Sequence, residues 1–143
     1  MRLTAKVDYA LRAVCALAAA PEGPMTSDAI AAAEGIPQRF LEVILRDLRR
    51  GGLVQSRRGL QGGHLLARPA AEVSIADVIR VVDGPLATVR SLRPEQVAYQ
   101  GASAHLRDVW FALRDNERRI LERISVQDVV SGELGEGFAA QLN

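Results

Sequence analysis

The sequence predicts a mainly α-helical protein with one small β-hairpin. Three observations carry that expectation. Apolar residues recur at three- and four-residue spacing in several separate stretches, the period of a helix packed on one side. Prolines and glycines cut these stretches apart, as at Pro21-Glu22-Gly23-Pro24, Gly35, Gly51-Gly52 and Gly84-Pro85. Residues 53–68 instead read as two short extended runs around a basic, glycine-rich tip.

The first helix spans Thr4 to Ala20. Val7, Leu11, Val14 and Leu17 or Ala18 share a face, Thr4 is the N-cap, and Asp8 sits near the positive end of the helix dipole. A short second helix runs from Ser27 to Glu34, capped by Thr26 or Ser27, with Ile30 and the alanines as its apolar side and Gly35 as its stop. Ile36-Pro37 opens the third helix, with Pro37 at a first-turn position. Phe40, Leu41, Ile44, Leu45 and Leu48 form its apolar stripe, and Arg39, Glu42, Arg46, Arg49 and Arg50 lie on the other side. Two helices joined by a tight glycine turn form a helix-turn-helix pattern. Leu53 to Ser56 reads as a strand, Arg57-Arg58-Gly59-Leu60-Gln61-Gly62-Gly63 as the tip, and His64 to Ala67 as the return strand.

Ser74 caps a fourth helix, with Asp77 at the capping-box position, and Asp83-Gly84-Pro85 ends it. Residues 85–102 show little period and read as a loop. From Ser103 to Ile124 the period returns, over about 22 residues or ~33 Å. Leu106, Val109, Trp110, Leu113, Ile120, Leu121 and Ile124 lie on one broad face, with Phe111 off it. So much apolar surface on so long a helix points to a homodimer partner. Gln127 to Ser131 adds one more turn, and the glycine-rich tail is expected to fray. The expected organisation is therefore a winged helix-turn-helix domain over 1–84 (wing 53–68), a loop over 85–102, a dimerisation helix region over 103–131 and a tail over 132–143.

Composition narrows the function. The chain has 143 residues, 48% hydrophobic and 24% charged, which excludes a disordered protein. No apolar run approaches the ~18 residues of a membrane span, and the start lacks a signal-peptide cleavage site, so a cytoplasmic protein with no membrane partner is expected. Residues 1–68 hold 10 basic and 6 acidic side chains, and residues 69–143 hold 8 and 11. A basic half on an acidic half suggests a nucleic-acid-binding part joined to another. No Ser-His-Asp spacing, Walker loop or HExxH motif occurs, and the glycine-rich tip lies between strands and opens no helix, so an enzyme is not expected. His64 and His105 are too far apart to make a metal motif, and the single cysteine, Cys15, excludes an internal disulfide and any site built on several thiolates. Cys15 is expected to pack as a small apolar residue and Trp110 to be core or interface.

A helix-turn-helix followed at once by a basic hairpin is the winged-helix arrangement. Its third helix can enter the major groove and its hairpin can follow the backbone or a narrow minor groove. The candidate DNA-binding residues are Ser27, Pro37, Gln38, Arg39, Phe40, Glu42, Val43, Arg57, Arg58 and Gly59. From another class, the alternative is an adaptor whose winged helix docks a partner protein.

Four blocks sharpen this reading. They are Tyr9-Ala10-Leu11-Arg12-Ala13, Ile36-Pro37-Gln38-Arg39-Phe40-Leu41-Glu42-Val43-Ile44-Leu45, Gly52 to Gly59 with Gly62-Gly63-His64-Leu65-Leu66-Ala67, and Ile75-Ala76-Asp77-Val78-Ile79 through Val82-Asp83-Gly84. In this order, over residues 1 to about 130, they resemble the Rrf-two family of bacterial winged-helix transcription regulators. The resemblance implies a homodimer on a pseudo-palindromic operator, most often as a repressor, with the long helix at the dimer interface. It matches Pro37, Gln38, Arg39, Phe40, Glu42 and Val43 to the base-reading region and Arg58 to a minor-groove arginine. Many members hold an iron–sulfur cluster on three cysteines after the fourth helix. Those positions fall near Ser91, Val97 and Ser103 here, and Asp8 near an acidic ligand of some members. Asp8 alone holds no cluster, so a clusterless member with no cofactor is expected. The operator and any protein or small-molecule effector are not named by these residues.

Overall fold

Helix α1 (Ala5–Ala19) is the element on which the others pack. The Thr4 hydroxyl accepts from the Val7 N–H at 3.2 Å and starts it. Val7, Ala10, Ala13, Val14, Ala16 and Leu17 are all buried, and the alanines let neighbouring helices come close. The structure is a computed structural model that describes residues 2–20, 22–135 and 138. Most of the expected tail, 132–143, and the breaker Pro21 lie outside the described residues.

Helix α2 (Ser27–Glu34) is capped by Thr26, whose hydroxyl accepts from Ala29 N at 3.1 Å. It stops at Gly35, whose φ of 64° is open to glycine at little cost. Helix α3 (Gln38–Arg50) follows. Pro37 is its N-cap rather than a helical residue, because ψ there is 130° while its carbonyl already accepts from Phe40 and Leu41. Leu41, Ile44, Leu45 and Leu48 are buried, whereas Phe40, expected on the same stripe, is exposed.

Strands β1 (Val54–Arg57) and β2 (Gly63–Leu66) pair antiparallel, Val54 opposite Leu66 and Arg57 opposite Gly63. The tip end of this hairpin, where β2 begins, is tied to the α1–α2 connection. Met25 N–H donates to the His64 carbonyl at 2.9 Å, and His64 N–H to that of Met25 at 2.7 Å. A Cβ at position 63 would stand 2.4 Å from the Met25 carbonyl oxygen, so the approach requires glycine.

Helix α4 (Ile75–Asp83) begins with a full capping box, Ser74 and Asp77 exchanging bonds of 3.0 Å. Between α4 and the next helix come one-turn 3-10 helices at Pro94–Gln96 and Gly101–Ser103, with Pro94 and Val97 buried.

Helix α5 (Leu106–Leu121) has 16 residues, ~24 Å, and is shorter than the pattern from Ser103 to Ile124 predicts. Its C-terminal limit is set by tertiary pairing. Ile75 N–H donates to the Ile124 carbonyl at 2.9 Å, and Val126 N–H to the Val73 carbonyl at 2.8 Å. This bridge pulls the chain out of the helix. Ser125 and Asp128 then form a second capping box for α6 (Val126–Ser131). Helix α6 packs on α1 and the 3-10 turn at Ala70–Glu72, and Val126 is fully buried in the common core. The chain thus leaves the helical body along α5 and returns to it. No helix among the described residues is long and apolar enough to cross a membrane.

Candidate nucleic-acid interface

The amphipathic pattern of α3 leaves Gln38, Arg39, Phe40, Glu42 and Val43 exposed on its first turns. Two of these are apolar, and Phe40 and Val43 are each more than two-fifths accessible. The core does not need them. Phe40 lies against Tyr9 of α1, ring centroids 5.8 Å apart, and the Arg39 guanidinium stands 4.8 Å from its ring centre. Arg39 is thereby held over an aromatic face rather than left free. Arg12 does the same over Tyr9 at 5.5 Å, while pairing with Asp8 at 2.7 Å and donating to the Glu34 carbonyl at 3.3 Å. Asp8 is thus engaged by Arg12.

The start of α3 is anchored to α2, since the Gln38 side-chain amide donates to the Asp28 carboxylate. That leaves Gln38 one further N–H and its carbonyl. Ser27 is the half-buried first residue of α2, not its cap. Pro37 is exposed at the mouth of the turn.

At the hairpin tip, Arg57, Arg58, Gly59, Leu60 and Gln61 are all exposed. Gly59 has φ 110°, a conformation that favours glycine at the turn. The Arg57 and Arg58 guanidiniums make no ion pair among the described residues. Leu60 is the most exposed large apolar side chain described, and the sequence reading did not single it out. Lower on the body, Arg49 donates to the Ser56 hydroxyl at 3.2 Å. Asp47, on α3 itself, pairs with Lys6 of α1 at 2.7 Å. The basic face of α3 is correspondingly less neutralised than its own sequence suggests.

Two titratable groups lie near this surface. Burial, and then the charge of Arg49, lowers the pKa of His64, whose Nδ1 is buried without a partner. Burial, and then Glu34, raises the pKa of Cys15, the opposite of an activated thiol.

Helix α5 is the other exposed feature. Leu106, Val109, Leu113 and Ile120 are accessible, and Trp110, Leu121 and Ile124 are half-buried. The Trp110 indole donates to the Tyr99 hydroxyl at 2.8 Å. Glu117 lies within this apolar stripe at 8% exposure, with Oε2 unpartnered, and burial raises its pKa. Its position four residues after Leu113 and three before Ile120 was the available signal, and the apolar pattern masked it.

A helix-turn-helix whose second helix presents polar and aromatic side chains, followed by an arginine-tipped hairpin, defines a winged-helix DNA-binding regulator. Comparison with known proteins gives the family. The Rrf2 family model, described as "Iron-dependent Transcriptional regulator", matches residues 3–132. The chain belongs to this family of transcriptional regulators. It is 49% identical over 140 residues to Rv1287 of Mycobacterium tuberculosis (strain ATCC 25618 / H37Rv), which carries an HTH-type transcriptional regulator name, covering 97% of this chain and 87% of that one. It is 31% identical over 137 residues to the HTH-type transcriptional regulator CymR of Bacillus subtilis (strain 168), covering 95% and 94%. The solved structure of CymR, the global cysteine regulator of B. subtilis, superposes with a TM-score of 0.77 at 30% identity, covering 92% of this chain and 97% of that one. The T. potens IscR structure gives 0.75 at 26% identity, covering 98% and 96%.

The iron in the family description can be tested against the residues. A thiolate-held cluster needs several cysteines, and this chain has one, on α1. Among the described residues no group of three or more His, Cys, Asp or Glu is placed to hold a metal ion. The loop between α4 and α5 carries Ser91, Val97 and Ser103, with Val97 packed inside. These residues do not fit such a group.

Proposed function

We propose that the protein is a repressor that binds a pseudo-palindromic operator as a homodimer, without an iron–sulfur cluster. Helix α3 enters the major groove, and Gln38, Arg39, Glu42 and Val43 meet base edges. Gln38 and Arg39 supply donors for adenine or guanine, and Val43 meets a thymine methyl. Pro37 and Phe40 shape the entry, and Ser27 contacts the backbone at the neighbouring helix end. Arg58 enters the minor groove, with Arg57 on the backbone and Gly59 allowing the close approach.

The observation that carries this reading is the exposed set on the first turns of α3. An accessible phenylalanine and valine beside a stacked arginine serve no core and match a surface made to be covered. The homodimer is supported by the accessible stripe of α5, which the chain's own body leaves open.

The test is a mobility-shift titration of the full chain against the DNA upstream of its own gene, with a scrambled duplex as competitor. Sequence-preferred binding at moderate salt, two chains per site, is expected. Equal affinity for both duplexes, with the dimer intact, overturns the reading and leaves the adaptor alternative. Anaerobic purification is expected to give a colourless protein, and stoichiometric iron and sulfide would overturn the clusterless part.

A further inference from the structure

Between the last turn of α4, the 84–95 segment and α5 lies a cleft of about 400 Å³ that DNA binding does not use. Its walls carry four arginines, Arg80, Arg93, Arg114 and Arg118, against one carboxylate, Glu95. Two of the four are compensated: Arg114 pairs with Glu95, and Arg80 pairs with Glu122 just outside. The side chains of Arg93 and Arg118 make no ion pair or hydrogen bond among the described residues. These two guanidiniums line the cleft without a close partner, Arg118 acting on Glu95 only at longer range, within a concave wall that concentrates their field.

The floor is built rather than incidental. Arg114 is largely buried and lies 5.0 Å from the Phe111 ring centre, which fixes its plane. Its Nε–H is buried with no hydrogen-bond partner, an Asp115 carboxylate oxygen standing 3.7 Å away. A buried donor left open beside a cavity is an unused binding group. The Arg114 hydrogen bond holds the Glu95 carboxyl below its ordinary pKa range, so this one acid stays ionised and committed to its arginine. The opposite wall is tied in place by buried Pro94 and by the Val89–Leu92 turn, whose paired bonds measure 2.8 and 2.9 Å.

We propose that this cleft binds a small dianionic metabolite, a phosphomonoester or a dicarboxylate. Two guanidiniums without a close ion pair suit a charge of about two, and guanidinium forks suit such oxygens. The volume lies within the ~300–1,000 Å³ of small-molecule sites and exceeds the need of a bare ion. Arg80 belongs to α4, Arg114 and Arg118 to α5, so an occupant bridges the DNA-reading body and the exposed helix. An effect on operator binding rests on the function proposed above, but the binding itself does not.

The test is thermal unfolding of the full chain in sodium phosphate, glycerol phosphate or sodium succinate, each against sodium chloride at equal ionic strength. At least one dianion is expected to raise Tm by several degrees over chloride, and the pattern among the three assigns the class. The double variant Arg93→Gln/Arg118→Gln, which alters two exposed side chains, is expected to abolish the shift. Arg118→Gln alone, expected to reduce it, serves should the double variant not fold. The variant Arg46→Gln/Arg50→Gln on α3 is expected to keep the shift. No shift with any dianion overturns the proposal, as does a shift that survives in the cleft variants or disappears in the α3 variant.

Discussion

Helices α3 and α5 are both amphipathic, yet they use their apolar residues in opposite ways. In α3, Leu41, Ile44, Leu45 and Leu48 are within the core, and the polar side is left outside. In α5, Leu106, Val109, Leu113 and Ile120 remain accessible, and the only buried residue is the carboxylate Glu117. The core stripe of the first helix is covered within one chain, although Phe40 and Val43 stay outside it, whereas the stripe of the second is left accessible. An apolar stripe read from sequence therefore says that a surface is to be covered, not by what.

The comparison is broken most severely at Leu48. Replacing it with Ala should cost about 2–5 kcal/mol of stability, because the buried site leaves a cavity. Chemical denaturation should show this loss at every protein concentration. Leu113→Asp is expected to leave the fold intact, by circular dichroism, and to abolish the dimer in sedimentation experiments. In a two-fold interface the charge enters twice, so a weakening of about 100-fold or more is expected. A variant that stays dimeric would remove α5 from the interface.

Arg58→Ala tests the reading surface rather than either stripe. It should weaken operator binding and lower the slope of log affinity against log salt by about one counterion. An unchanged slope would take Arg58 off the DNA.

The smallest effect concerns Glu117. Its folded-state pKa is raised by burial, so the folded chain keeps a proton that the unfolded chain has released. That contribution is complete below the ordinary glutamate pKa of about 4.3 and is lost as pH rises through the raised value. Glu117→Gln should therefore gain stability over the parent as pH rises from acid to neutral, by about 1 kcal/mol at most. A constant difference in Tm across that range would show that the carboxyl titrates in the fold as it does in the unfolded chain, with no shift from burial.

What was legible in the sequence was mostly local. Thr4, Thr26 and the Ser74–Asp77 pair cap the helices they precede, because a cap needs only its own next turn. The Arg57–Arg58 tip was legible for the same reason, whereas the exposure of Phe40, expected in the apolar stripe of α3, was not. The ends of α5 were not, since they depend on residues 73–75 meeting 124–126. Nor was the Lys6–Asp47 pair, which removes an acid from the α3 face across two helices. The four arginines of the cleft come from three separated segments, and nothing in their spacing announces them.

The return of the chain through α6 carries a consequence for biosynthesis. Val126 fills part of the core built by residues near the start, so the DNA-reading body is discontinuous along the polypeptide. On the ribosome, residues 1–84 emerge first but lack this last piece of packing. By the time Val126 is exposed, all of α5 has been translated, so the completed body never exists without its sticky helix already attached. A truncation meant to isolate the reading body must therefore keep residues 124–131.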